Sequence, residues 1–238
     1  MTPQTFAGQT VLITGASRGI GAHLVSHFRE RGAWVAACAR SAEPVDEETL
    51  WSTAVDVTNE PALRDWIRAA HARRGRIDVL INNAGAASMN HSLLTPSQAL
   101  RDAVELNCIA AFVGTREAAK LMRKAKYGRI VNLTTIAVPM LIEGELSYAA
   151  SKAALEKATE ILAAELAPFG ITCNLVGPSP VETDLIRGIP KAKMDALLNR
   201  LLTKRIATLD EVAYAVEVFA DRRAGHLTAQ SLYLGGVH

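Results

Sequence analysis

The feature that most constrains this chain is an alternation. Short, continuous apolar runs rich in β-branched residues are separated by longer stretches with helical spacing. The first run is TVLIT at 10–14 and the second WVAACA at 34–39. Others follow at 50–57, 78–82 (DVLIN), 129–134 (RIVNLT), 171–176 (ITCNLV) and 231–234. A run that is apolar at every position, not at every second one, suits a strand covered on both faces, the condition of a parallel sheet. Helices are expected near 19–31, 60–74, 97–125, 148–168 and 208–221. Such alternation builds βαβ units. The expectation is an α/β fold: a single doubly wound parallel sheet of about seven strands with helices on both faces. No composition shift or linker divides the 238 residues, so 1–238 is read as one domain, with a substrate-facing loop and helices at about 179–205. The gap from 39 to 50 is too short and polar for a good helix and reads as a stunted helix or a loop. The stretch from Pro178 to Pro190 breaks periodicity and reads as a loop at the carboxyl edge of the sheet, where open α/β sheets bind ligands.

Composition excludes several classes. Apolar residues make up 49% and charged residues 21%, which argues against disorder. Lys plus Arg number 26 against 24 Asp plus Glu, a net charge of +2, too balanced for a protein built to hold nucleic acid or a membrane surface. Three widely spaced cysteines, Cys38, Cys108 and Cys173, give neither a disulfide framework nor a CxxC metal pair. A reducing, cytoplasmic setting follows, with no metal. No apolar run reaches the roughly 20 residues that span a bilayer, and the N-terminus lacks the pattern of a signal peptide.

The first apolar run leads directly into Thr14-Gly15-Ala16-Ser17-Arg18-Gly19-Ile20-Gly21 and then an amphipathic helix. Gly15 permits a tight turn, Gly19 lets backbone approach a pyrophosphate, and Gly21 lets the helix pack on the strand. The helix N-terminus presents free N–H groups to phosphate. Strand before and helix after make this a dinucleotide-binding turn of a Rossmann-type sheet. An NAD site wants a carboxylate at the end of the second strand to hold the ribose 2′-OH. Ala39 stands there, followed by Arg40, which would pair with a 2′-phosphate, with Arg18 as a second cation. NADP(H) is therefore preferred over NAD(H); otherwise both arginines are plain surface residues. Asp56 either accepts a hydrogen bond from the adenine amino group or caps a turn with Thr58.

Tyr148 and Lys152 are four apart in the strongly helical stretch YAASKAALEKATEILAAEL, which puts both on one face. A free tyrosine has a pKa of about 10, too high for efficient acid–base work near neutrality. An ammonium about 4 Å away is worth on the order of 4 kcal/mol at an effective dielectric of about 20, before desolvation, and would lower that value.

Taken together these motifs resemble the short-chain dehydrogenase/reductase family over essentially the whole chain, and among its members the 3-oxoacyl-[acyl-carrier-protein] reductases and general ketone reductases. The carrying residues are TGASRGIG at 14–21, Asp56, NNAG at 82–85, Asn107, Thr134-Thr135, YAASK at 148–152 and NLVGPSPVET at 174–183. The resemblance implies a catalytic set of Asn107, Thr135, Tyr148 and Lys152. Hydride passes from NADPH to a carbonyl carbon, Tyr148 protonates the forming alkoxide, and Thr135 binds the carbonyl oxygen. Lys152 tunes Tyr148 and binds the nicotinamide ribose; Asn107 holds a helix kink and a water that resupplies the proton. It further implies that the dinucleotide rests on Thr14, Gly15, Ser17, Arg18, Gly19, Ile20 and Gly21. Arg40, Asp56 and Val57 serve the adenosine side, with Asn83, Ala84 and Gly85 beyond them. Tyr148, Lys152, Pro178, Val181 and Thr183 complete the nicotinamide side.

Two positions depart from the family pattern. Thr135 replaces the usual serine, keeping the hydroxyl but stiffening χ1. Ser179 replaces the glycine after Pro178. The substrate pocket is expected between 135–147 and 183–205, framed by Val138, Pro139, Met140, Leu141, Ile142, Leu185 and Ile186. Glu143 and Glu145 either select a polar or cationic substrate or face solvent. A basic run, Arg116, Lys120, Arg123, Lys124, Lys126 and Arg129, would suit an acidic acyl carrier protein, or simply complements a helix C-terminus; Phe169 stands where a second basic position would fall. The function expected is NADPH-dependent reduction of a ketone, of a small molecule or a 3-oxoacyl thioester, to a secondary alcohol. The alternatives are an NAD(P)-dependent secondary alcohol dehydrogenase and a non-catalytic NADP(H) sensor. A homotetramer or homodimer is expected through the long helices at 97–125 and 148–168.

Overall fold

The computed structural model describes residues 5–183, 186 and 190–237. One eight-stranded sheet organises the chain. Its strands are β1 (Thr10–Thr14), β2 (Trp34–Ala39), β3 (Val45–Asp46), β4 (Leu50–Ala54), β5 (Val79–Asn82), β6 (Gly128–Leu133), β7 (Ile171–Gly177) and β8 (Ser231–Tyr233). They lie in the order β3-β4-β2-β1-β5-β6-β7-β8. Every pairing is parallel except that of β3 with β4.

The helices are α1 (Gly19–Glu30), α2 (Glu60–Arg74), α3 (Ser97–Val104), α4 (Ala110–Met122), α5 (Ala137–Met140), α6 (Leu146–Leu166), α7 (Lys191–Asn199) and α8 (Leu209–Ala220). Side-chain alternation along the buried strands sends each residue to one of two cores. Val11, Ile13, Val35, Val79, Ile81 and Val131 point to the face covered by α1 and α8, meeting Leu24, Phe28, Val216 and Phe219. Leu12, Ala36, Cys38, Leu80 and Ile130 point to the opposite face, meeting Leu63, Trp66 and Ile67 of α2 and Val113 and Met122 of α4. Both faces are apolar, which is why the strands read as continuous runs. No helix among the described residues is long and apolar enough to cross a membrane.

Three local features differ from the sequence expectation. The 39–50 gap holds neither a helix nor a bare loop but an eighth strand. Val45 and Asp46 pair antiparallel with Ser52 and Trp51. A tight turn closes them through Glu47 N–H to Leu50 O at 2.8 Å. Pro44 keeps the preceding residue extended, and two residues of pairing suffice at an edge. The strand expected at 50–57 stops at Ala54, because Val55 and Val57 turn into the core and Asp56 folds into a turn. The helix expected at 97–125 is split. Between α3 and α4 the chain makes one π-helical turn, Glu105–Ile109, and a 3₁₀ turn follows at Arg123–Ala125.

Candidate active site

The order of the sheet reverses at β1 and β5, and the carboxyl ends of these strands open a crevice of the kind that binds ligands. The glycine turn leaves β1 there. Gly15 and Gly19 adopt φ of +68° and +56°, left-handed values that glycine takes at little cost. A Cβ at Gly15 would lie 2.6 Å from Ala84 Cα, so the turn and the 83–85 segment touch backbone to backbone. Thr14 and Asn83 lock that contact. The Thr14 hydroxyl accepts from the N–H groups of Asn83 and Ala84, both at 3.1 Å. Asn83 Nδ2 donates to Thr14 O at 2.9 Å and Gly15 O at 3.0 Å. Thr14 and Asn83 thus shape the cradle, which Ser17 and Arg18 line on its exposed side. Ile20 packs on the core.

On the adenosine side, Ala16 N–H donates to Cys38 O, tying the turn to the end of β2, next to exposed Arg40. Asp56 Oδ1 caps the turn, accepting from the Thr58 hydroxyl at 2.7 Å and the Thr58 N–H at 3.0 Å. Those bonds hold its carboxyl below the usual range, with a smaller push from Arg40. Val57 is 6% exposed and spends its side chain on the core. Asn82 is buried and donates to Ala111 O, Thr115 Oγ1 and Asn132 Oδ1. An unpaired amide there would cost about 1–3 kcal/mol, so this network pins α4 to β5 and β6.

The residues expected on the nicotinamide side gather around α6, a helix rich in Ala, Leu, Lys and Glu, all good formers. Tyr148 and Lys152 share one face of it. The phenol of Tyr148 faces the Thr135 hydroxyl, whose Oγ1 accepts from Ala137 N–H at 3.1 Å. Lys152 Nζ is buried and donates to Leu133 O at 2.7 Å. Burial pulls its ammonium down to about 8, against weaker support from Cys108 and Glu156. The expected depression of Tyr148 is reversed. Burial is the largest effect on the phenol and pushes it up to about 12, with the nearby Thr135 hydroxyl opposing and the Glu145 carboxylate adding to the rise. Lys152 acts on the strand carbonyl and leaves the phenol's desolvation uncompensated.

Asn107 sits inside the π turn, 1% exposed. Such turns often mark functional sites. Its Oδ1 accepts from Ala86 N–H, and its Nδ2 donates to Ala86 O and Ser151 Oγ, each at 3.0 Å. The π turn interrupts the helix at the position where a kink is expected, and the Asn107 side chain clamps the 83–86 segment to α6. A Cβ at Gly85 would meet Asn107 Oδ1 at 2.9 Å and Lys152 Nζ at 3.3 Å, so only glycine fits there.

The segment after β7 closes the crevice. Pro178 O accepts from Ile136 N–H, and Val181 pairs with Ala207. Thr183 lies against the position of a Gly19 Cβ, at 3.4 Å. Ser179 is buried and avoids the left-handed region, so serine is accommodated where the family has glycine.

Around the substrate pocket, Ile136, Met140, Ile142 and Leu201 form one small apolar cluster. Leu141 instead points to solvent, 82% exposed, in a left-handed conformation. Leu185 lies outside the described residues. Glu143 is exposed, whereas Glu145 is half-buried and burial raises its carboxyl. Beside it, a cavity of about 200 Å³ is lined by Met89, Asn90, Pro96 and Ser147 among others.

Residues 15–238 match the family model described as enoyl-(acyl carrier protein) reductase. The chain belongs to the short-chain dehydrogenase/reductase family. It is 30% identical over 237 residues to the 3-oxoacyl-[acyl-carrier-protein] reductase FabG of Escherichia coli, covering 97% of each chain. To the same-named protein of Vibrio cholerae it is 31% identical over 235 residues, covering 96% of each. Among solved structures, the aldohexose dehydrogenase of Thermoplasma acidophilum superimposes with a TM-score of 0.88 at 27% identity, over 97% of this chain and 94% of that one. Levodione reductase superimposes with a TM-score of 0.90 at 24% identity, a likeness of fold, over 97% of both chains. As a short-chain dehydrogenase/reductase the protein is an oxidoreductase that interconverts ketones and alcohols with a nicotinamide cofactor, and the backbone cradle at Gly15 and Gly19 fits such a group.

Proposed function

We propose that this protein is an NADPH-dependent ketone reductase with Asn107, Thr135, Tyr148 and Lys152 as its working set. The observation that carries the reading is the Tyr148 phenol facing Thr135 beside buried Lys152, with Asn107 and Gly85 closing the same corner. A phenol that keeps its proton through neutrality is the donor that carbonyl reduction requires. The dinucleotide supplies the hydride when bound. Thr135 donates to the carbonyl oxygen and Tyr148 gives its proton to the forming alkoxide. Lys152 orients the nicotinamide ribose, and a water near Asn107 returns the proton. Thr14 to Gly21, Arg40, Asp56, Val57 and residues 83–85 cradle the adenosine and phosphates, with Pro178, Val181 and Thr183 on the carboxamide.

Support for NADPH comes from Arg40 standing exposed beside the glycine turn, with Ala39 ending β2 in place of a carboxylate. Replacing Arg40 by serine is expected to raise the KM for NADPH about 10- to 100-fold, the worth of a charge-assisted bond to phosphate, and to leave that for NADH within about twofold. Equal changes for both cofactors would remove Arg40 from this role.

A free ketone or thioester has more support than a carrier-bound one. Arg116 is engaged by Glu60 and Glu117, Lys120 by Glu117, and Arg129 is buried, donating to the carbonyls of Gly128, Asp221 and Arg222. Half the basic run is thereby spent within the chain. Assembly as a homotetramer or homodimer is supported by exposed Ile109 and Phe112 near the start of α4 and Leu146 and Ile161 on α6. The test is NADPH and NADH consumption with a panel of simple ketones, hydroxyketones and a 3-oxoacyl thioester. No turnover with any of them, despite NADPH binding, would sink the reductase reading. Within that assay, Thr135→Ala is expected to lower turnover about 100-fold and Thr135→Ser to retain it, as for loss of one oxyanion donor.

A further inference from the structure

The end of β6 and one stripe of α6 meet residue by residue. Tyr148, Lys152 and Glu156 are spaced four apart, so successive turns of the helix stack them on one face. Three consecutive residues, Leu133, Thr134 and Thr135, hold them. Thr135 faces the Tyr148 phenol, Leu133 O takes the Lys152 ammonium at 2.7 Å, and the Thr134 hydroxyl donates to Glu156 Oε1 at 2.5 Å. A second hydroxyl reaches the same carboxylate, that of Tyr233 on β8. The ring of Tyr233 is itself fixed against Gly177, where a Cβ would lie 2.4 Å from it. Two of the three helix positions belong to the reaction. The third is a half-buried carboxylate that the mechanism leaves without a task.

We propose that Glu156 is a positioning residue for Lys152: held by Thr134 and faced by Tyr233, its carboxylate is the counter-charge, one helical turn on, that keeps the buried ammonium charged while Leu133 O holds it in place. The assignment rests on the reductase reading of the site. A fully desolvated ammonium is costly unless paired. The other groups facing Lys152 do not balance it. Tyr148 is neutral through neutrality, and burial raises the thiol of Cys108, so it too is neutral. Glu145 acts on Tyr148 from the head of the helix, and Glu160 faces Tyr233. Glu156 is the one carboxylate acting on Lys152 among the described residues. Its removal has a definite sign. Lys152 loses its proton near pH 8, before Tyr148 does, and reduction needs both protonated. Without the anion the ammonium becomes harder to keep, so the alkaline limb of activity moves down in pH.

The test reads Lys152 directly. Nitrogen-15 NMR of lysine-labelled protein, without cofactor, follows the Nζ titration in the native chain, Glu156→Gln and Glu156→Asp. The glutamine variant is expected to titrate about one unit lower and the aspartate variant close to the native value. Ketone reduction should fall about fivefold at pH 8 and less than about twofold at pH 6 in Glu156→Gln. Should the glutamine variant not fold, Glu156→Leu fills similar space without charge, and the same downward shift is expected. An Nζ midpoint that does not move, or a loss of activity by one factor at all pH values with only a lower Tm, would overturn the proposal. The NMR arm decides even if no ketone is turned over, so this failure is separable from that of the reductase reading.

Discussion

Replacing Tyr148 by phenylalanine is expected to lower ketone-reduction turnover by about 10³-fold, within the range of roughly 10²–10⁴ that a positioned general acid contributes. The ring stays and only the hydroxyl goes, so packing around α6 is preserved. What is lost is the proton source, together with the phenol's polar contact to the Thr135 hydroxyl. Dinucleotide binding, followed by NADPH fluorescence, should hold within about threefold, because the phenol's largest task is in the transition state. Residual turnover within tenfold of native would show that another group delivers the proton and would remove Tyr148 from the catalytic role.

The second large effect is structural and reaches function through the cradle. A Cβ on Gly21 would lie 2.2 Å from Gly15 O and 2.5 Å from Asn83 Nδ2, two atoms that are themselves hydrogen-bonded at 3.0 Å. Neither is the loose end of a flexible chain. One is backbone and the other is pinned by its two bonds to Thr14 O and Gly15 O. Gly21→Ala must therefore push α1 away from β1 and break the lock between the glycine turn and the 83–85 segment. The expected cost is about 2 kcal/mol or more, a Tm lower by about 5 °C, and dinucleotide affinity reduced about 100-fold through misplaced backbone donors. Gly75→Ala is the control. Unlike Gly21 it has a positive φ, +71°, but no atom lies within 4 Å of its Cβ, so it should cost only about 1–2 kcal/mol of left-handed strain and leave binding intact. Equal binding losses in both variants would show that close packing at Gly21 is not what shapes the cradle.

What could be read from the sequence follows from how far each signal reaches along the chain. The buried strands and the glycine turn announce themselves within a dozen residues, because continuous apolar runs and paired glycines are local consequences of burial and tight turning. Tyr148 and Lys152 were legible as a pair for the same reason. β3 was not, since a two-residue pairing at 45–46 is created by its neighbour β4 and leaves no pattern of its own. The break at Asn107 is legible only through the resemblance, because its cause is remote: Asn107 is drawn between Ala86 and Ser151, 21 residues before and 44 after it. The Tyr148 ionisation went the wrong way because spacing on a helix face does not reveal that the lysine is bound to a strand carbonyl. Glu156 was visible at the next helical turn after Lys152, yet nothing in the sequence ties position 156 to Thr134 or Tyr233. Arg129, read as part of a basic rim, is buried under Tyr127 with its guanidinium 4.5 Å from the ring centre, a stacking that charge counting cannot see.

The single π turn at Glu105–Ile109 also changes how the long helical stretch answers to its surroundings. Each residue rotates an α-helix by about 100°, so one extra residue in the turn offsets everything beyond it by that angle. Here α3 packs on α6, while α4 packs on α2. The two halves are out of phase, and a helical wheel drawn continuously from 97 to 122 assigns the wrong inward face to one of them. An insertion or deletion in this stretch, even at an exposed position, would re-key which half meets which neighbour.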